Sequence, residues 1–242
     1  MKKTFLMTCT LLALAAGIAA AGPGALNLAW DDCGGLANKT FACNTNTGSP
    51  SSDVMVGTFV APCCVDSASA NEIVVDIQST GAVLPAWWQM RAGQCRSVAL
   101  SQSSSGFGAT CFDYWAGLAS GGISQDLFVN NRARIKVLEG LPAGSDAITG
   151  IPEGTEVYSF KINIGHGKTV GTGACAGCQT GVCIVLNSIK INQTVHTPAG
   201  DKFISTPGAR NWVTYQGGIG GDCYQATPAK NTTWGTVKAL YR

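Results

Sequence analysis

The sequence predicts an all-β protein: an antiparallel β-sandwich of jelly-roll or immunoglobulin-like type, stapled by disulfides and carrying one or two short helices. Three observations predict it. Short apolar or alternating segments recur between clusters of Gly, Pro, Ser, Asn and Asp, and 31 glycines punctuate the 242 residues. Almost no long run carries a helical period, so the crossover helices that a parallel sheet needs are missing. Ten of the eleven cysteines follow an export-like leader, which favours a sheet scaffold cross-linked by sulfur.

Segments 26–30, 54–60, 72–78, 96–100, 132–138, 157–164, 182–191 and 211–215 read as strands. In 132–137 the basic Arg132, Arg134 and Lys136 share one face and Ala133, Ile135 and Val137 the other, the pattern of a half-buried strand. Phe160, Ile162 and Ile164 form a similar inward row, as do Ile184 and Leu186, whereas Ile73-Val74-Val75 reads as buried on both faces. Segment 84–89 forms a helical turn with Pro85 near its start. Thr233 caps a second helix in which Trp234, Val237, Leu240 and Tyr241 fall on one stripe. No internal repeat and no linker divide the chain, so residues 22–226 are read as one β-sandwich domain and 227–242 as a C-terminal tail.

Met1-Lys2-Lys3-Thr4 opens a positive start, and residues 5–21 form an apolar, small-residue run ending in three alanines. That is the layout of a cleavable signal peptide, residues 1–21, with Gly22 as the mature start. The location expected is therefore exported: extracellular, cell-surface or periplasmic, with no membrane span left after cleavage. Loss of Lys2 and Lys3 reduces the 16 basic residues to 14, against 14 acidic ones, and charged residues make up only 12% of the chain. That is about half the usual share, so the chain has no electrostatic footprint for nucleic acid.

Cleavage also removes Cys9 and leaves ten cysteines: Cys33, Cys43, Cys63, Cys64, Cys95, Cys111, Cys175, Cys178, Cys183 and Cys223. In an oxidising compartment they read as five disulfides, although ten thiols admit on the order of a thousand pairings. Proximity along the chain favours Cys33 with Cys43 and Cys95 with Cys111. Adjacent Cys63 and Cys64 are expected to bridge to different partners, and Cys223 to one of Cys175, Cys178 and Cys183. Cys175-Ala176-Gly177-Cys178 has the spacing of a redox pair, yet it does not open a helix whose dipole would lower a thiol pKa. A zinc site would need a closer-paired fourth ligand, so these cysteines are read as structural and no metal or other cofactor is assigned.

Catalytic motifs fail on inspection. Gly167-Lys168-Thr169 imitates the end of a phosphate-binding loop, but Ile162 stands where the loop needs its first glycine. Neither His-Glu-x-x-His nor Gly-x-Ser-x-Gly occurs, and of the two histidines His166 is read as structural and His196 as an exposed turn. Carboxylates for glycoside hydrolysis leave no spacing signal; Asp31, Asp32, Asp76, Asp113, Glu139 and Asp222 form the pool. Asn38, Asn192 and Asn231 head glycosylation-type triplets that a bacterial export route leaves unmodified. The constructive clue is aromatic: Trp87, Trp88, Tyr114, Trp115, Trp212 and Tyr215 occur in close pairs, and exposed on a sandwich they would stack on sugar rings or form a protein interface. Filling the core is the alternative use of the same rings.

Leu84-Pro85-Ala86-Trp87-Trp88, the Cys175–Cys178 motif running on to Val182-Cys183-Ile184-Val185-Leu186-Asn187-Ser188-Ile189, and the terminal Thr232-Thr233-Trp234-Gly235-Thr236-Val237-Lys238-Ala239-Leu240-Tyr241-Arg242 carry a resemblance. The chain resembles a family of uncharacterised exported bacterial proteins. The likeness implies export and a β-rich domain, and brings no functional residue with it. Residues 234–242 are then either a sorting or attachment segment or a helix closing the sandwich. The function expected is that of a secreted or envelope-associated structural or binding protein, not an enzyme, with cell-surface glycan or a protein as partner. A secreted hydrolase using carboxylate or metal chemistry is the alternative.

Overall fold

The computed structural model describes residues 22–47, 52–105, 111–193 and 200–218. The expected signal peptide, the C-terminal segment in which a helix is expected, Asp222, Cys223 and His196 lie outside the described residues.

Fourteen strands, several only two residues long, and one turn of 3-10 helix make up the described chain. The first sheet runs β13-β1-β3-β10-β6, using β1 (Ala25–Trp30), β3 (Ser52–Val60), β6 (Leu100–Ser103), β10 (Glu156–Gly165) and β13 (Thr206–Pro207). The second runs β2-β14-β11-β5-β8-β7 with β12 against β11: β2 (Asn38–Lys39), β5 (Ala70–Ser79), β7 (Ser120–Val129), β8 (Arg132–Gly140), β11 (Val182–Asn192), β12 (Lys202–Ile204) and β14 (Trp212–Tyr215). A small pair, β4 (Ser67–Ala68) with β9 (Ile148–Thr149), completes the set. The long pairings are antiparallel, and the short β1–β13 and β2–β14 contacts are parallel. The expected all-β sandwich is therefore the fold.

One core joins the two sheets. Leu26, Leu28, Met55, Phe59, Phe160, Ile162 and Ile164 from the first face Ile73, Val75, Ile77, Ile135, Val137, Ile184 and Leu186 from the second. Each such large apolar side chain contributes about 1.5–3 kcal/mol on leaving water. Gly57 in β3 is fixed by this packing, since a Cβ there would lie 2.1 Å from the Phe160 ring. The solvent face of the second sheet carries opposed charges: Arg134 grips Asp76 through two bonds of 2.8 and 2.9 Å, Lys136 meets Asp126 at 2.8 Å and Lys190 meets Glu72 at 3.0 Å. The scarce charges of the chain thus cancel locally on one surface.

Three expectations about elements change. Residues 96–99 form turns and the strand starts only at Leu100, because Arg96 turns inward to donate to the carbonyls of Trp87, Gly165 and Gly167. β7 has no apolar alternation to betray it: it opens on Gly121-Gly122, and its inward Gln125 donates to Trp88 O (3.0 Å) and accepts from Met90 N (2.7 Å). In β5, Ile73 and Val75 are buried, whereas Val74 looks partly outward.

The bridges also depart from sequence proximity. Cys33 joins Cys111, Cys43 joins Cys178 and Cys95 joins Cys175, closing separations of 78, 135 and 80 residues. Cys33 packs with Val56 and Tyr158 over the first sheet, whereas the chain runs on past β2 to place Cys43 beside Gln216 and Cys178. Cys111 instead arrives over the first sheet beside Phe112, which bridges to Val157, while Cys95 stays at the far end with Lys168 and Cys175. Cys183 is disulfide-bonded as well. Cys63 and Cys64, expected to bridge to separate partners, are free and exposed. Their loop turns both side chains away from the core, between the buried Ala61 and Val65.

Candidate binding groove

The outer face of the first sheet carries a groove of about 430 Å³, within the range of small-ligand sites. Its floor follows from strand alternation. Leu26 and Leu28 of β1 point into the core, so Asn27 between them points out; Thr58, its cross-strand partner on β3, points out too. Glu156 at the start of β10 reaches across both, and its Oε1 accepts from Asn27 Nδ2 at 2.8 Å and Thr58 Oγ1 at 2.5 Å.

One wall is the turn after β1 with Cys33 and Gly34, which the Cys33–Cys111 bridge ties down over Val56 and Tyr158. The other wall is the segment from Ala209 to Trp212, where the chain leaves the edge of β1 for β14. Arg210 on this segment is held by backbone carbonyls rather than by a carboxylate: Nη2 donates to Gly35 O at 2.6 Å and Nε to Leu28 O at 3.4 Å. Partial burial lowers its pKa from the ordinary arginine value, and it stays a cation at any physiological pH. Trp212 completes the lining, half-buried against Cys183 and Val185. An amide, a carboxylate, a guanidinium and an indole thus border one open depression, a set able to hydrogen-bond hydroxyl groups and to pack an apolar ring face.

The aromatic set, read as either a surface patch or core filling, divides here. Trp87, Trp88, Trp115 and Tyr215 have no exposed surface and Tyr114 only 3%, so five of the six rings fill the core. Trp87 Nε1 donates to Thr169 Oγ1 at 3.1 Å and Trp115 Nε1 to Ser159 O at 3.0 Å, whereas the buried Trp88 Nε1 has no hydrogen-bond partner among the described residues. The Trp87–Trp88 pair and Tyr215 cluster at one end of the sandwich, with the Arg96 guanidinium 3.6 Å above the Trp87 ring. Only Trp212 remains in reach of a ligand.

The carboxylate pool disperses. Asp31 pairs with Lys39 at 2.5 Å, Asp76 with Arg134, and Asp113 accepts from the N–H groups of Trp115 and Ala116 in its own turn. Glu139 is buried, the fourth inward residue of the row Ala133, Ile135, Val137; burial, then the nearby Asp113 charge, pushes its carboxyl up to about 9. Asp53 was not in the pool. It is buried near Tyr215 and His166, accepting from Tyr215 Oη at 2.7 Å and contacting His166 Nε2 at 2.9 Å, while Phe41 stacks on the imidazole at 3.8 Å. His166 is 3% exposed, so this network braces the end of the sandwich, in keeping with a structural histidine. Among the described residues no group of three or more His, Cys, Asp and Glu side chains could hold a metal ion, and no helix is long and apolar enough to cross a membrane.

Asn27, Thr58, Glu156 and Arg210 had not been singled out from the sequence. A single polar residue between two leucines marks Asn27 as outward-facing, but no local signal tells that Glu156 and Arg210, from distant segments, meet it. No family model, curated protein or solved structure matches this chain.

Proposed function

We propose that this chain is an exported, extracellular or envelope-associated binding protein whose outer groove takes a short stretch of cell-surface glycan. One observation carries the reading: Asn27, Glu156, Arg210 and Trp212 border an open groove on a sheet whose other face is core. Hydroxyl-rich sugar rings suit such a border, offering polar edges to the amide, carboxylate and guanidinium and a C–H face to the indole. The disulfides that span 78 to 135 residues support assembly in an oxidising compartment, as the leader and the family resemblance imply. Binding is favoured over hydrolysis because Glu156 is the one carboxylate among the described lining residues, whereas glycoside hydrolysis generally uses two.

The test is a glycan array followed by calorimetry on the mature protein. Wild type is expected to select a subset of bacterial surface glycans, and Trp212→Ala and Glu156→Gln each to weaken that binding about tenfold or more, the glutamine variant with an unfolding curve little changed, one lost hydrogen-bonding or packing contact being worth about 1–3 kcal/mol. Absence of glycan binding refutes the proposal. So does release of reducing ends from a polymer that Glu156→Gln abolishes, which would return the protein to the hydrolases.

A further inference from the structure

We infer that Cys63 and Cys64 form an exposed dithiol site that exchanges with low-molecular-weight disulfides and closes to a bond between the two neighbours. The groove plays no part in this inference. Among the described cysteines these two alone are free, and they are also the exposed ones, whereas Cys33, Cys175, Cys178 and Cys183 are buried and bridged. Bridged sulfur here is buried or half-buried; this pair is exposed.

The display is built. Ala61 on one side is tied to β10's approach, its N–H donating to Thr155 O and its carbonyl accepting from Gly154 N, both at 2.9 Å. On the other side Val65 is buried and Gln193 clamps the loop: its Oε1 accepts from Asp66 N at 2.9 Å and Ser67 N at 3.1 Å, and its Nε2 donates to Cys64 O at 3.3 Å. Between these anchors Cys64 adopts φ 64°, a left-handed conformation that a non-glycine side chain takes only when its surroundings impose it. The neighbouring Cys63, by hydrogen bond and charge, raises the Cys64 pKa, which favours Cys63 as the attacking thiol and Cys64 as the resolving one.

The chemistry balances with a disulfide as oxidant. The Cys63 thiolate attacks one sulfur of the incoming disulfide, forming a mixed disulfide and expelling one thiolate. Cys64 then loses its proton to solvent and attacks Cys63 Sγ, making the Cys63–Cys64 bond and expelling the second thiolate. Two cysteines give up two electrons and two protons; the disulfide takes the electrons and its two thiolates take the protons.

The experiment uses mature protein given a brief mild thiol treatment, with tryptophan fluorescence confirming that the buried bridges hold. Oxidised glutathione is then added and intact mass and peptide maps are recorded. Wild type is expected to lose two thiols, release two equivalents of glutathione, retain none and become two hydrogens lighter, with the new bond mapping to residues 63 and 64. Cys64→Ser, or Cys64→Ala if the serine variant fails to fold, is expected to keep one glutathione on Cys63. Wild type that keeps glutathione, leaves its thiols unreacted or forms covalent dimers overturns the inference, as does a variant that captures none.

Discussion

Replacing Glu139 by glutamine should make the protein more stable at neutral pH, and the gain should vanish in acid. Glu139 projects from β8 into the core with no exposed surface, and neither carboxylate oxygen has a hydrogen-bond partner. Its carboxyl is pushed from 4.5 up to about 9, first by burial and then by the charge of Asp113. The folded protein therefore holds a proton that the unfolded chain releases above about pH 4.5. Below that pH both states are protonated and stability is complete; as pH rises toward 9 the unfolded state gains by ionising and stability drains away. Each pH unit in this window costs about 1.4 kcal/mol, so wild type should lose up to about 4 kcal/mol between pH 5 and pH 8 on account of this residue. Glutamine has the shape of the protonated acid and nothing to ionise. Glu139→Gln should thus lie within about 1 kcal/mol of wild type at pH 4.5 and exceed it by about 2–3 kcal/mol at pH 7, some gain being offset by the added buried amide N–H donors. Urea unfolding followed by tryptophan fluorescence, with disulfides intact, measures both proteins across pH 4.5–8. Parallel stability profiles for the two would refute the assignment of a neutral, buried Glu139.

Two further outcomes follow from packing and cross-linking. Gly57→Ala should destabilise by about 1–3 kcal/mol, because the new methyl group enters the Phe160 ring and the buried ring has to shift; thermal unfolding reads the loss, and Gly57→Ala paired with Phe160→Leu should recover part of it. Replacing Cys43 and Cys178 together by alanine should cost about 2–4 kcal/mol in chemical unfolding, since that bridge closes the largest of the loops described, 135 residues apart, and the remaining bridges leave that end less restrained in the unfolded chain.

Strand positions were largely legible because strand patterning is local: the alternation in Arg132–Gly140 and in Glu156–Gly165 declares both the element and its inner face. Continued by one more period, the same alternation places Glu139 on the inner face. β7 was not legible, because Gly121, Gly122 and an inward glutamine erase the pattern that identifies a half-buried strand. The residues of the groove lie between these cases. Asn27 announces its orientation, whereas its meeting with Glu156 and Arg210 depends on a sheet order that joins segments 129 and 183 positions away.

By itself the sequence determined an all-β chain rich in sulfur and poor in charge, since alternation, turn residues and composition act within a few residues of each other. Only the tertiary structure decided which cysteines meet, which rings vanish into the core and which face is left open. Cys33 meets distant Cys111 rather than nearby Cys43 because it packs over Val56 and Tyr158 on the first sheet, while Cys43 lies beside Gln216 and Cys178. Trp87 and Trp88 are buried because the end of the sandwich folds over them, while Trp212 keeps an outlook onto solvent. Pairing and burial are properties of the distance between segments after the sheets have packed, and the order of residues along a chain does not contain that distance.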